Sequence, residues 1–185
     1  MNPDPATLPP PQGEGFVLRP WRRDDLDSLV AHADDAQVSR ALSDRFPYPY
    51  TREDGARFLD GQVIDLEHPV FAIDVAGRAV GGIGAHPGRG ERGHGAEFGY
   101  WLGRRLWGAG LMTRVVAAFA PWAMQRLRLY RLCATVLDDN PASARVLLKN
   151  GFEEEGVQRC AVYKHGQVHD LRVFAKARRS LQDAT

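Results

Sequence analysis

The sequence predicts a three-layer α/β/α domain on a mixed sheet. Strand-length apolar runs such as "VFAIDV" and "LYRLCATVL" are interspersed with longer runs whose apolar residues recur every three or four positions. The order that results is strand, two helices, three strands, helix, strand, helix, two strands, without an internal repeat or a second core. A chain of 185 residues, 44% hydrophobic and 25% charged, is ordinary material for one domain.

Taken in order, residues 1–14 are proline-rich and read as an extended, mobile tail. Residues 15–178 read as the domain, and 179–185 as a C-terminal tail. "FVLRPW" is a short strand, and the run from Arg22 to Leu42 places Leu26, Leu29, Val30 and Ala33 on one face of a single amphipathic helix. The prolines of "FPYPY" interrupt the chain. Thr51, followed by Glu53 and Asp54, then reads as the N-cap of a second helix through "ARFLDGQVIDL". "VFAIDV", "AGR" and "AVGGIGAH" form a hairpin. The glycine-rich loop "PGRGERGHG" leads into the strand "AEFGYWL", so the middle of the chain is antiparallel sheet. Leu111, Met112, Val115, Val116, Phe119, Trp122, Ala123 and Leu127 lie on one face of a long helix in which Pro121 is a point of kinking. "LYRLCATVL" is a strand, and "PASARVLLK" a helix with proline in its first turn and Gly151 as its stop. A last hairpin pairs "VQRCAVY" with "VHDLRVFAK" across "KHGQ".

Composition narrows the function. Twenty-four Lys plus Arg face 23 Asp plus Glu, so no overall basic field argues for nucleic acid as a partner. The N-terminus lacks the charged flank and apolar core of a signal peptide, and no apolar run reaches the ~20 residues of a membrane span. A cytoplasmic location is expected. Cys133 and Cys160 fall in apolar strand-like runs without metal-type spacing and are read as buried thiols without chemistry. His86, His94, His165 and His169 form no helical i, i+4 pair and have no cysteine partners, so no metal site is expected. A monomer and a homodimer both remain open.

The stretch most suggestive of chemistry is "RRLWGAG", Arg104 to Gly110, where a strand hands over to a helix. The first N–H groups of a helix lack partners within it, and the dipole makes that end weakly positive. Gly108 and Gly110 let main chain approach a ligand without a Cβ between them, and a guanidinium adds charge-assisted contacts. A phosphate or pyrophosphate fits this description. The dinucleotide fingerprint G-x-G-x-x-G lacks its third glycine here, and no Walker lysine follows.

The blocks "FGYWLGRRLWGAGLMT", "NPASARVLLKNGF", "EEEG" and "HGQVHDLRVFA" resemble the GCN-five-related N-acetyltransferases (GNAT), and within them the branch of ribosomal-protein alanine N-acetyltransferases (the RimJ/RimL type). The resemblance covers about Phe16 to Lys176. It implies the acyl-CoA N-acyltransferase fold, with acetyl-CoA as cosubstrate and a primary amine as acceptor. The family pattern R/Q-x-x-G-x-G/A falls on Arg105, Gly108, Ala109 and Gly110, which would cradle the pyrophosphate. Trp101, Leu102, Trp107, Leu111, Met112 and Thr113 would line the same cofactor path. Asn140 would hold the pantetheine amide, and Ser143 would lie near the sulfur as proton donor to the leaving thiolate. Glu97 is the implied general base, and backbone N–H groups of its strand would face the thioester. Strand alternation puts Glu97 with Gly99 and Trp101, opposite Phe98, Tyr100 and Leu102.

Two positions depart from the pattern. The tyrosine common seven residues after the asparagine is Leu147 here, and the glutamate usual after the threonine is Arg114. Arg114 reads equally as a phosphate contact or as a solvated residue. Tyr48, Tyr50 and His94 are the acceptor-side candidates. The segment "RFPYPYTRED" and the loop "PGRGERGHG" are expected to choose the acceptor. The reading from a different class is a CoA-binding sensor that kept the cradle and lost the chemistry.

Overall fold

A computed structural model of the protein describes residues 8–66 and 69–181. Eight strands form one sheet in the order β1-β2-β3-β4-β5-β6-β8-β7. They are β1 (Gln12–Gly13), β2 (Phe16–Pro20), β3 (Val70–Val75), β4 (Arg78–Pro87), β5 (Gly95–Leu102), β6 (Arg131–Leu137), β7 (Glu153–Lys164) and β8 (Gln167–Ala177). Five α-helices accompany them: α1 (Leu26–Ala33), α2 (Ala36–Arg40), α3 (Arg52–Leu59), α4 (Leu111–Arg126) and α5 (Pro141–Lys149). Every neighbouring pair is antiparallel except β5 and β6, which are parallel.

Each face of the sheet has its own apolar cluster, which is the three-layer arrangement expected. On one face Phe98, Phe119, Phe152, Phe174, Leu132 and Leu147 anchor a large core under α4 and α5. On the other, Leu29, Ala33 and Tyr50 pack with Trp21, Phe46, Phe58 and Trp101. Gly55 sits inside α3 against α1, where an added Cβ would lie 2.7 Å from Leu26 Cδ1. Glycine inside a helix costs up to about 1 kcal/mol, and here it allows a close helix contact. Arg19 ties this layer to the sheet by donating two hydrogen bonds to the Asp25 carboxylate and a further one to Asp74, all at 2.7 Å.

The run from Arg22 to Leu42 is two helices rather than one. Asp35 accepts from Gln37 N at 2.8 Å and starts α2, while Asp34 accepts from Tyr50 N at 2.9 Å. Two adjacent carboxylates compete with the helix for backbone N–H groups and divide it. The second helix begins as expected, with Thr51 and Asp54 in a reciprocal cap, but stops at Leu59. Helix α4 runs through Pro121.

The proline-rich stretch is partly built into the fold. Gln12–Gly13 pairs with β2, Pro11 O accepts from Leu18 N, and Glu14 O accepts from Arg114 Nε at 3.2 Å. Residues 1–7 of the expected N-terminal tail and 182–185 of the C-terminal one lie outside the described residues.

Candidate active site

Strands β5 and β6 share three rungs only, Gly95 with Arg131, Ala96 with Leu132 and Glu97 with Cys133. Beyond Glu97, β5 stays with β4 as far as Leu102, and β6 stays with β8 as far as Leu137. A cleft opens between them, and past Glu97 the β5 edge facing it pairs with no strand among the described residues. Backbone groups there need a partner from solvent or ligand. Both strands feed a helix at the open end of the cleft.

The first junction, β5 to α4, is bare. Gly108 and Gly110 have φ of +80° and +72°, and a Cβ at Gly108 would meet nothing within 4 Å. Gly110 occupies the N-cap position without a side-chain bond. The N–H groups of Leu111, Met112 and Thr113 therefore face out of the helix start, while the Leu111 and Met112 side chains are in the core. Trp107 is half exposed and donates Nε1 to Leu102 O at 2.7 Å. Arg105 is exposed, and its charge, after burial, helps hold the neighbouring His32 imidazole below its ordinary value. Arg104 lies 3.8 Å from Asp35. Arg114 folds back, with NH1 on Ala109 O at 3.2 Å, and braces the loop from outside.

The second junction, β6 to α5, is capped. Asn140 Oδ1 accepts from Ser143 N at 3.2 Å, with Pro141 opening the helix. Across the cleft, Tyr100 Oη lies 2.8 Å from Ser143 Oγ and 3.2 Å from Ser143 O. Burial pushes the Tyr100 phenol up to about 12, partly opposed by Ser143. Tyr100 escaped sequence reasoning: alternation assigned it to the face opposite Glu97, but nothing local shows that its hydroxyl reaches a helix 43 residues on. Leu147, where the family tyrosine would stand, is fully buried.

Glu97 is exposed at the apex of the cleft and accepts from Thr135 Oγ1 at 3.3 Å. Burial pushes the neighbouring Cys133 thiol up, Arg131 opposes this, and Glu97 adds to it. A nucleophilic thiolate is thereby disfavoured, although neither thiol is buried as expected: Cys133 is half-buried and Cys160, on the outer strand β7, is exposed. The Trp101 side chain turns away from the cleft, lying over Gly82 and parallel to Trp21 with centroids 6.5 Å apart, and Leu102 is in the opposite core.

The acceptor-side candidates are dispersed. Tyr50 is buried, with its phenol pushed up to about 12 by burial and then by Asp54, and packs on Phe46 at 4.9 Å. His94 precedes β5 at the paired end, edge-on to Tyr130. The loop "PGRGERGHG" is at that same end, away from both junctions. Tyr48 is 55% exposed and borders a cavity of about 420 Å³ shared with Arg40, Leu137, Asp139, His165 and His169. Here His169 Nδ1 is 3.1 Å from Asp138 Oδ1 and holds that carboxyl below its usual range, while Arg40 bridges Asp139 at 2.5 Å. Asp138, Asp139 and His169 bring ligand-type atoms within 4.8 Å of one another, a grouping invisible in the histidine spacing because it joins the turn after β6 to β8.

A mixed sheet split at its parallel pair, with a bare helix start beside the split, is the architecture of an acyltransferase. The sequence pattern of the acetyltransferase (GNAT) domain matches residues 16–153, and the chain belongs to that family. It is 35% identical over 96 residues to the uncharacterized N-acetyltransferase YoaA of Bacillus subtilis (strain 168), covering 52% of this chain and 54% of that protein. It is 28% identical over 172 residues to the uncharacterized N-acetyltransferase p20 of Bacillus licheniformis, covering 90% and 94%. The solved structure of RimL, the ribosomal L7/L12 alpha-N-protein acetyltransferase in complex with coenzyme A, superposes with a TM-score of 0.78 at 22% identity over 89% of this chain and 95% of that one. RimL belongs to the branch that the sequence blocks indicated. Among the described residues no helix is long and apolar enough to cross a membrane.

Proposed function

We propose that the protein moves an acetyl group from acetyl-CoA to a primary amine, on a protein N-terminus or a small molecule, by direct attack on the thioester. The observation that carries this is the three-rung β5–β6 pair opening into a cleft beside an uncapped α4. Arg105 and the N–H groups from Gly108 to Thr113 take the pyrophosphate, and the free edge of β5 takes the pantetheine amides. The Asn140 carboxamide, whose oxygen caps α5, keeps its NH₂ for the ligand.

In the transfer the amine nitrogen forms a bond to the acyl carbon and the C–S bond breaks. Glu97, directly or through water, accepts the proton that the ammonium must shed. The departing thiolate is met by the Ser143 hydroxyl, which Tyr100 holds in place. A phenol pushed up to about 12 keeps its proton at neutral pH and serves as a hydrogen-bond donor. The acceptor lies toward the cavity bordered by Tyr48, and the reaction runs in the cytoplasm.

The test is calorimetric titration with acetyl-CoA, followed by thiol release against N-terminal peptides, polyamines and small amines. Binding with release on one acceptor class supports the transferase. Binding without release on any of them returns the sensor reading, and no binding overturns the cradle. Glu97→Gln is expected to slow turnover by at least about tenfold with acetyl-CoA binding intact, and unchanged turnover removes Glu97 as the base.

A further inference from the structure

The β7–β8 hairpin tip and the loop between α2 and α3 come from opposite ends of the chain, and one ammonium joins them. Lys164, the last residue of β7, is 8% exposed. Its Nζ donates to Leu42 O and, at 3.3 Å, to Asp44 Oδ1. A buried ammonium is retained only where it is bonded, and here the carbonyl is the stronger tie because the Asp44 side chain is 89% exposed. The tie crosses beside the 420 Å³ cavity, with Tyr48 from the loop on one side and His165 and Gln167 from the tip on the other.

The remainder of the loop is held independently. Phe46 packs on Tyr50 and Trp101, Ser39 Oγ donates to Phe46 O at 3.1 Å, and Tyr50 N is bound by Asp34. Leu42 N donates to Ser39 O at 3.1 Å and Phe46 N to Ser43 O at 2.9 Å, so the loop keeps its own backbone bonds and the hairpin tip is the partner that Lys164 secures. We propose that Lys164 is a positioning residue for the acceptor: by pinning the hairpin tip to Leu42 O it holds His165 and Gln167 opposite α2 and Tyr48 and fixes the width of the cavity into which the acceptor extends beyond its amine. This rests on the reading that the cavity takes the acceptor.

The experiment compares the wild type with Lys164→Met, Lys164→Arg and Asp44→Asn, all as full chains, in steady-state kinetics and in hydrogen exchange followed by mass spectrometry. Lys164→Met is expected to raise the acceptor KM at least about tenfold, the effect of losing a hydrogen bond to a charged group, with kcat and the acetyl-CoA KM little changed. Lys164→Arg recovers most of this, and Asp44→Asn stays within about threefold of wild type, as an exposed ion pair allows. Exchange accelerates over the hairpin tip, residues 163–168, and holds over 46–51. A lower melting temperature with an unchanged acceptor KM makes Lys164 scaffold only and overturns the proposal. Unchanged exchange over 163–168 overturns it as well, and does so even if no amine on the panel is acetylated, a result that would instead count against the transferase reading.

Discussion

The two strand-to-helix junctions at the open end of the cleft start their helices in opposite ways. At β5–α4, Gly110 in a left-handed conformation leaves the first N–H groups without a side-chain cap. At β6–α5, Asn140 supplies the cap from its own side chain. The comparison teaches where stability and ligand affinity are traded. A bare start on glycine gives up about a few tenths of a kcal/mol of a good cap and keeps its donors for an anion, whereas a capped start is stable alone and lends a ligand only what the cap leaves over.

The largest expected effect comes from breaking the bare junction. Gly110→Val forces a β-branched residue into left-handed φ, costing about 1–2 kcal/mol of stability. Misdirecting the phosphate donors weakens acetyl-CoA binding by more than about a hundredfold, read by calorimetry. Next, Tyr100→Phe removes the hydroxyl that spans the cleft, and kcat falls at least about tenfold with little change in the acetyl-CoA KM.

Asn140 sharpens the contrast. Asn140→Ala loses about 1 kcal/mol in denaturant unfolding and also weakens acetyl-CoA, while Asn140→Asp keeps the cap and loses the amide donor, so only binding suffers. Equal stability losses in the two variants would show that the cap is not the source. The effect smallest at neutral pH is a pH dependence. Tyr100 and Tyr50 are pushed from 10.0 to about 12, so above pH 10 the unfolded chain gives up its phenolic protons first. Stability is then fully present below pH 10 and falls as pH rises towards 12, less steeply in Tyr100→Phe.

Features written in local residue pattern were legible in the sequence. The Thr51 cap, the hairpin around Ala76 and Gly77, the glycine junction and the Asn140 helix start all follow from neighbours within a few positions. Asp34 and Asp35 misled because their spacing suits a helix face while their side chains seek other backbone. Gln12–Gly13 was hidden because strand pairing at an edge needs only backbone groups. The Tyr100–Ser143, His169–Asp138 and Lys164–Leu42 contacts span 31 to 122 positions, and no local periodicity carries them.

The three rungs between β5 and β6 also bear on how the molecule holds together. They are a short seam between two half-sheets, β1 to β5 on one side and β6 to β8 on the other, reinforced by the helices that straddle it. A cosubstrate lying along the free edge of β5 acts as a clasp across that seam, so its affinity is added to folding stability by mass action. Saturating acetyl-CoA should therefore slow exchange of the β5 and β6 amides more than those of the β3–β4 hairpin, which is already closed on both edges.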